Sequence, residues 1–376
     1  MRRLFGLFLG ALLSMGVHAQ PATHYYLLVG SYTEPRADRG IFVYDFDTGT
    51  GELRFLSVTG GIASPSYLAV GFRGDRVYAV SEKDHGEGRI SAYKFDSGRL
   101  TLLNDGPSGG RGPCYISADD AGTHVFAANY GSGSLGVTTL NRDGSLDTTA
   151  TQSIQHLGGS INAESQTRPH AHSVLPAPDN RFVLSANLGN DRVYVYRFDR
   201  DSAVALRAAD SPYLGVTPGS GPRHICFDPS GKHMYVVNEM GGGVDVFDYR
   251  EGTLHHKQAI TMLPEGFSGI VEAADIHLSP DGKFLYASNR EVRNEIVIYS
   301  VGPDGSLRFA GRQSVLGTAP RSFVIDPLGH FLLTANLKTN EIVVFRRDAK
   351  TGLLSFTGKK TGVNAPACLK FVLVHE

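Results

Sequence analysis

Short apolar runs separated by turn residues dominate the chain, and one stretch shows the unit most clearly. Between Gly221 and Glu239, Arg223 to Phe227 forms a first apolar run and Met234 to Asn238 a second. Asp228-Pro229-Ser230-Gly231 lies between them; proline presets φ and glycine tolerates positive φ, so the segment predicts a β-hairpin. The same pattern recurs as PSYLAVGFRGDRVYAVS from Pro65, PCYISADDAGTHVFAAN from Pro113 and PHAHSVLPAPDNRFVLSAN from Pro169. It returns as AADIHLSPDGKFLYASN from Ala273 and PRSFVIDPLGHFLLTAN from Pro320. Tyr25 to Ser31 matches only the second strand and Pro366 to Val374 only the first. Together they make seven units at intervals of about 46 to 56 residues, the mark of radial or solenoidal repetition.

Two further strands follow each hairpin, as in Gly243 to Tyr249 and Leu254 to Met262, split by Arg250-Glu251-Gly252-Thr253. Four antiparallel strands repeated seven times predict an all-β, seven-bladed β-propeller. The split unit predicts its closure: the C-terminal strand completes the blade begun by the N-terminal strands, so that no sheet edge is left open. Two stacked β-domains would not explain the split. The chain contains no Trp, so the Trp-Asp marks of WD40 repeats are absent.

Composition changes the picture in three places. Hydrophobic residues at 41% and charged residues at 19% suit a folded domain, and a formal net charge of −1 offers nothing to nucleic acid. Arg2 and Arg3, the apolar stretch Leu4 to Met15 and Val17-His18-Ala19 read as a secretory signal peptide over residues 1–19. A single propeller over 20–376 then follows, exported to the periplasm or secreted, with no membrane attachment after cleavage and no need of an oligomeric partner. Cys114, Cys226 and Cys368 fall on first strands of non-adjacent units, too far apart for disulfides, and are expected to be buried free thiols.

Candidate chemistry comes from comparing equivalent positions. A propeller gathers first-strand starts and second-strand ends on one face around its channel. Second strands end in Asn129, Asn187, Asn238, Asn289 and Asn336, a repetition expected of side chains that bond loop backbone. The next position holds Tyr32, Glu82, Tyr130, Leu188, Glu239, Arg290 and Leu337, and its opposite charges are no folding requirement of the repeat. The matching first-strand position holds Ser66, Cys114, His172, Arg223, Ala274, Arg321 and Ala367, with His170 two residues before His172. His172, Arg223, Glu239, Arg290 and Arg321 therefore converge on one side of the rim, beside the longer connections 158–168, 215–221 and 263–272. Forked guanidinium groups suit an anionic ligand, and a His with a Glu could supply acid–base catalysis. The same residues could instead be a salt-bridged channel mouth.

RPHAHS at 168–173, GPRH at 221–224, VVNE at 236–239, EAADIHLSPDGKFLYASNR at 272–290 and APRSFVIDPLG at 319–329 resemble the propeller lactonase family. That family includes 6-phosphogluconolactonases and carboxymuconate lactonising enzymes, and the resemblance runs from about residue 25 to 375. It implies hydrolysis of a sugar-acid lactone, first 6-phosphogluconolactone, with no metal or other cofactor in the step. The implied catalytic set is His172, Arg223, Glu239 and Arg290, with His170 and Arg321 left to bind a small anionic lactone. An exported chain departs from a cytoplasmic phosphosugar enzyme, which opens the alternatives of another anionic or aldonic lactone, or cycloisomerisation. A calcium-dependent propeller with Asn187, Asn238 and Glu82 as ligands, and a non-enzymatic binding propeller, are the competing readings.

Overall fold

The computed structural model describes residues 24–33, 39–82 and 86–373; the expected signal segment lies outside them. Among the described residues 28 strands form seven four-stranded antiparallel sheets, with one 3-10 turn at Leu188–Asn190. Six sheets are contiguous in sequence. The other is split as its sequence predicts: Pro366–Leu373 pairs with His24–Ser31, and Tyr25 opposes Leu373. We number this split sheet blade 1 and the rest in chain order.

The innermost strands are Leu68–Val70, Pro113–Ala118, Ala171–Pro176, Pro222–Phe227, Ala273–Leu278, Pro320–Ile325 and Pro366–Leu373. Each adjoins the next and the last adjoins the first, which closes a seven-bladed propeller around a central channel. Second strands are sandwiched between neighbouring blades on both faces. They are accordingly apolar without alternation: all six residues are buried in Phe182–Asn187, Phe284–Asn289 and Phe331–Asn336. The outermost strands, such as Thr253–Thr261, are largely exposed.

Polar bonds stitch blade to blade at repeated positions. The hydroxyls of Tyr78, Tyr235 and Tyr286 donate to the carbonyls of Gly144, Gly305 and Gly352 in the next blade, at 3.1, 3.0 and 2.7 Å. Gln258 exchanges two bonds with the Leu307 backbone, and Gln152 does the same with Leu206. Buried donors and acceptors are thereby satisfied across the interfaces that the apolar strands create.

One feature of the hairpins is not visible in the sequence. In blade 5 Pro222 opposes Asn238 and His224 opposes Val237, so Arg223 is an extra residue in the ladder. The same slip singles out Cys114, His172 and Arg321 in blades 3, 4 and 7, and Ala367 in blade 1. Blade 6 slips between Ala273 and Ile276. A bulge bends its strand and re-aims a side chain. The first-strand register that carries His172, Arg223 and Arg321 is thus a bulge register in six of the seven blades.

Candidate active site

Glu239 is placed by its backbone before its side chain acts. Its N–H donates to the Gly221 carbonyl at 2.8 Å, and its own carbonyl accepts from Ala273 of blade 6 at 3.0 Å. Gly221 takes a φ of +64° in the turn into Pro222, a conformation that favours glycine. The Gly219 and Gly221 amides both donate to Asp191 of blade 4 at 2.7 Å. Three blades therefore fix one carboxylate.

Two guanidinium groups meet that carboxylate from different blades. Arg223 Nε lies 2.7 Å from Glu239 Oε2, and Arg290 Nη2 lies 2.9 Å from Oε1. Neither N–H points squarely at its oxygen, so the grip is coulombic more than directional. Burial pushes the Glu239 carboxyl up, but Arg290, Arg223 and Arg321 outweigh it and hold the group below its ordinary value. The Arg223 side chain is almost wholly buried, at 2% exposure, whereas Glu239 keeps 21% and faces the funnel. Burial also pulls the Arg223 guanidinium down to about 10, against the raising influence of Glu239. It stays a cation at neutral pH.

His172 completes the group, with Nε2 3.9 Å from Glu239 Oε2. Burial, then the charges of Arg223, His224 and Arg321, hold its imidazole well below the usual histidine range, so it is neutral. The Tyr130 ring meets it edge-on at 5.6 Å and stacks on His170 at 4.3 Å. The structure thus brings His172, Arg223, Glu239 and Arg290 together. His170 stands one layer out, with Nδ1 2.9 Å from the Tyr130 carbonyl. Arg321 lies with blades 1 and 2: its Nη2 is 3.9 Å from Glu82 Oε2, and its guanidinium sits 5.3 Å from the Tyr32 ring centre.

Some neighbours escape a reading by register. Cys114 Sγ lies 3.9 Å from His172 Nδ1, a proximity that no local Cys–His pattern announces. Burial pushes this thiol up, so it is no thiolate nucleophile. Cys114 and Cys368 are buried free thiols as expected, and Cys226 is a half-buried one. Beneath Arg223 a buried relay runs inward: Arg223 Nη1 is 3.1 Å from His224 Nε2, and His224 Nδ1 is 2.8 Å from Asp275 Oδ1. Asp275 also receives the amides of Ile276 and Phe323 and approaches His277 Nε2 at 3.2 Å. GPRH and AADIH supply these residues, but only the bulges of blades 5 and 6 bring them into line.

The residues named as calcium ligands are only partly engaged, since Asn238 Oδ1 has no hydrogen-bond partner and the bonds to the Glu82 carboxylate fall on Oε2. Asn187 Oδ1 accepts from the amides of His170 and Gly189, Asn238 Nδ2 donates to Asp245, and Glu82 accepts from Tyr32 and Ser66. Asn129 and Asn336 donate to loop carbonyls, the structural use expected of that register.

A propeller whose channel mouth holds a buried His–Glu pair flanked by arginines is built for acid–base chemistry on a polar or anionic ester. The family model described as lactonase, 7-bladed beta-propeller matches residues 26–371, and the chain belongs to that family. The chain is 35% identical to a 6-phosphogluconolactonase of Formosa agariphila, with 92% of this chain and 98% of the relative aligned. To a 6-phosphogluconolactonase of Bacillus subtilis it is 34% identical, over 93% and 99% of the two chains. Among solved structures it superposes on a periplasmic gluconolactonase of Pseudomonas aeruginosa with a TM-score of 0.89. That pair shares 37% identity and covers 94% and 100% of the two chains.

The relay makes a testable demand. An ionised Asp275 can only accept, so His224 donates from Nδ1 and presents a bare Nε2 to Arg223. Asp275→Asn removes the charge that fixes this tautomer and sets an NH2 group against donors that Asp275 now accepts from. We expect lactone kcat/KM to fall at least about tenfold while near-UV circular dichroism shows the native fold. Wild-type turnover in a folded Asp275→Asn protein would contradict the relay.

Proposed function

We propose that this chain is a lactonase that opens a sugar-acid lactone by water, using the cluster around Glu239. The observation that carries the reading is the carboxylate itself, ionised, gripped by Arg223 and Arg290 and 3.9 Å from a neutral imidazole. 6-Phosphogluconolactone, giving 6-phosphogluconate, is the first candidate substrate, because two relatives across more than nine-tenths of the chain carry that activity in their names. A free aldonolactone is the second, supported by the likeness to a periplasmic gluconolactonase and by the signal-peptide pattern of residues 1–19.

The roles follow from charge and position. Arg290, the less buried of the two guanidinium groups on Glu239, binds the carbonyl oxygen of the ester together with Arg223 and stabilises the oxyanion that water attack creates. Glu239 takes the proton as the water oxygen bonds to the carbonyl carbon. His172, neutral beside it, passes that proton to the ring oxygen as the ring C–O bond breaks. The leaving alcohol stays tethered in the hydroxy-acid product. Arg321 and His170 lie farther out, where substituents of the ring would reach. No cofactor takes part in this scheme.

Glu239→Gln and His172→Ala should each lower kcat by roughly 10²–10⁴-fold and leave KM nearly unchanged, measured by pH-stat and corrected for spontaneous opening. Arg223→Lys or Arg290→Lys should also raise KM, since an ammonium cannot reproduce the guanidinium fork. Near-normal turnover in both Glu239→Gln and His172→Ala would remove the site. Export is tested separately: the mature protein should begin near Gln20 and be found outside the cytoplasm by N-terminal mass analysis. Intact protein from Met1 as the main active cytosolic form would contradict it.

A further inference from the structure

A second carboxylate stands in the funnel, and the cluster around Glu239 does not use it. Glu82 follows the second strand of blade 2, at the position that Glu239 occupies in blade 5. Its Oε2 accepts from the Tyr32 hydroxyl at 2.9 Å and from the Ser66 hydroxyl. Its Oε1 has no hydrogen-bond or ion-pair partner among the described residues, and the side chain is 20% exposed. Arg321 Nη2 stands 3.9 Å from Oε2, too far for a direct hydrogen bond. Among the described residues the Arg321 guanidinium donates no hydrogen bond, although its side chain is only 16% exposed and lies against the Tyr32 ring. A mostly buried fork of donors and a partly free acceptor thus face the funnel side by side.

The chemistry of that pair selects its ligand. A phosphate or carboxylate would meet Arg321 favourably but set its oxygens against the lone pairs and charge of Glu82. An ammonium would suit Glu82 and be repelled by Arg321. A hydroxyl satisfies both, because it accepts from the guanidinium and donates to the carboxylate at once. Among the described residues, both hydrogen bonds to the Glu82 carboxylate come from hydroxyls. Arg321 is also close enough to Glu239 that its charge helps hold that carboxyl down.

We propose that Glu82 and Arg321, with Tyr32 and Ser66 holding Glu82 in place, form a subsite for the ring or side-chain hydroxyls of a polyhydroxylated lactone. The proposal rests on the lactonase reading above and adds which residues read the substrate's hydroxyls, so that a sugar lactone is preferred over a lactone without them.

The test compares glucono-1,5-lactone with δ-valerolactone, the same six-membered ring without hydroxyls, in wild type and Glu82→Ala. The KM for gluconolactone should rise about tenfold or more, as for loss of a hydrogen bond to a charged group, while constants for δ-valerolactone stay within about twofold. Equal loss on both lactones, or no loss on either, overturns the subsite and leaves the lactonase reading standing. A wild-type protein that opens none of glucono-1,5-lactone, δ-valerolactone and 6-phosphogluconolactone overturns both. If Glu82→Ala does not fold, Tyr32→Phe carries the same comparison. It removes the phenol bond to Glu82 but keeps the ring beneath Arg321, and should give the same selectivity with a smaller rise.

Discussion

A charged carboxylate held mostly out of water at a channel mouth is the constraint to which the surrounding structure answers. Taking such a group out of water costs several kcal/mol unless opposite charges stand close by. Glu239 has Arg223 on one oxygen and Arg290 on the other. Arg223 is itself buried, so it needs an acceptor beyond Glu239, and finds the Ala274 carbonyl and His224 Nε2. His224 in turn needs Asp275 to fix its tautomer, and Asp275 is satisfied by two amides and a second histidine. Each buried polar group recruits the next until backbone closes the chain. A cluster of this kind is expensive to leave half-satisfied, which makes it rigid.

The propeller supplies what such a cluster needs, namely converging elements from separate blades on a scaffold that does not give. Second strands buried on both faces weld the blades together, and the C-terminal strand in blade 1 closes the ring by covering the inner edge of His24–Ser31. The ladder slip in the innermost strands of blades 1, 3, 4, 5 and 7 then turns one side chain in each out of the alternation. In blades 4, 5 and 7 that side chain is His172, Arg223 or Arg321, and in blades 1 and 3 it is Ala367 or Cys114. One geometric device repeated around the ring thus yields a lopsided site, because only some blades put chemistry on it.

Much of this was legible in the chain. The hairpin repeat, the split unit and the turn residues follow from local propensity and periodicity, which the propeller satisfies at every blade. Comparing equivalent positions found His172, Arg223, Glu239 and Arg290, because charge at a register the fold leaves free stands out. It did not separate Arg321 from that group. The pairing of Arg321 with Glu82 crosses from blade 7 to blade 2 and depends on ring closure rather than on neighbouring sequence. Cys114 beside His172, and His224 beneath Arg223, were hidden for a related reason. A bulge is a one-residue slip with no residue type of its own, so the sequence shows which side chains are available but not which of them are turned to meet.

The most direct test of the account is the ionisation of Glu239 itself, read by ¹³C NMR of glutamate carboxyls, with the resonance assigned by its loss in Glu239→Gln. The two arginines predict that it titrates below the ordinary glutamate value of 4.5 and moves upward in Arg290→Gln. A carboxyl titrating above that value, or one indifferent to Arg290, would mean that the guanidinium grip does not govern it, and the proposed chemistry would lose its foundation.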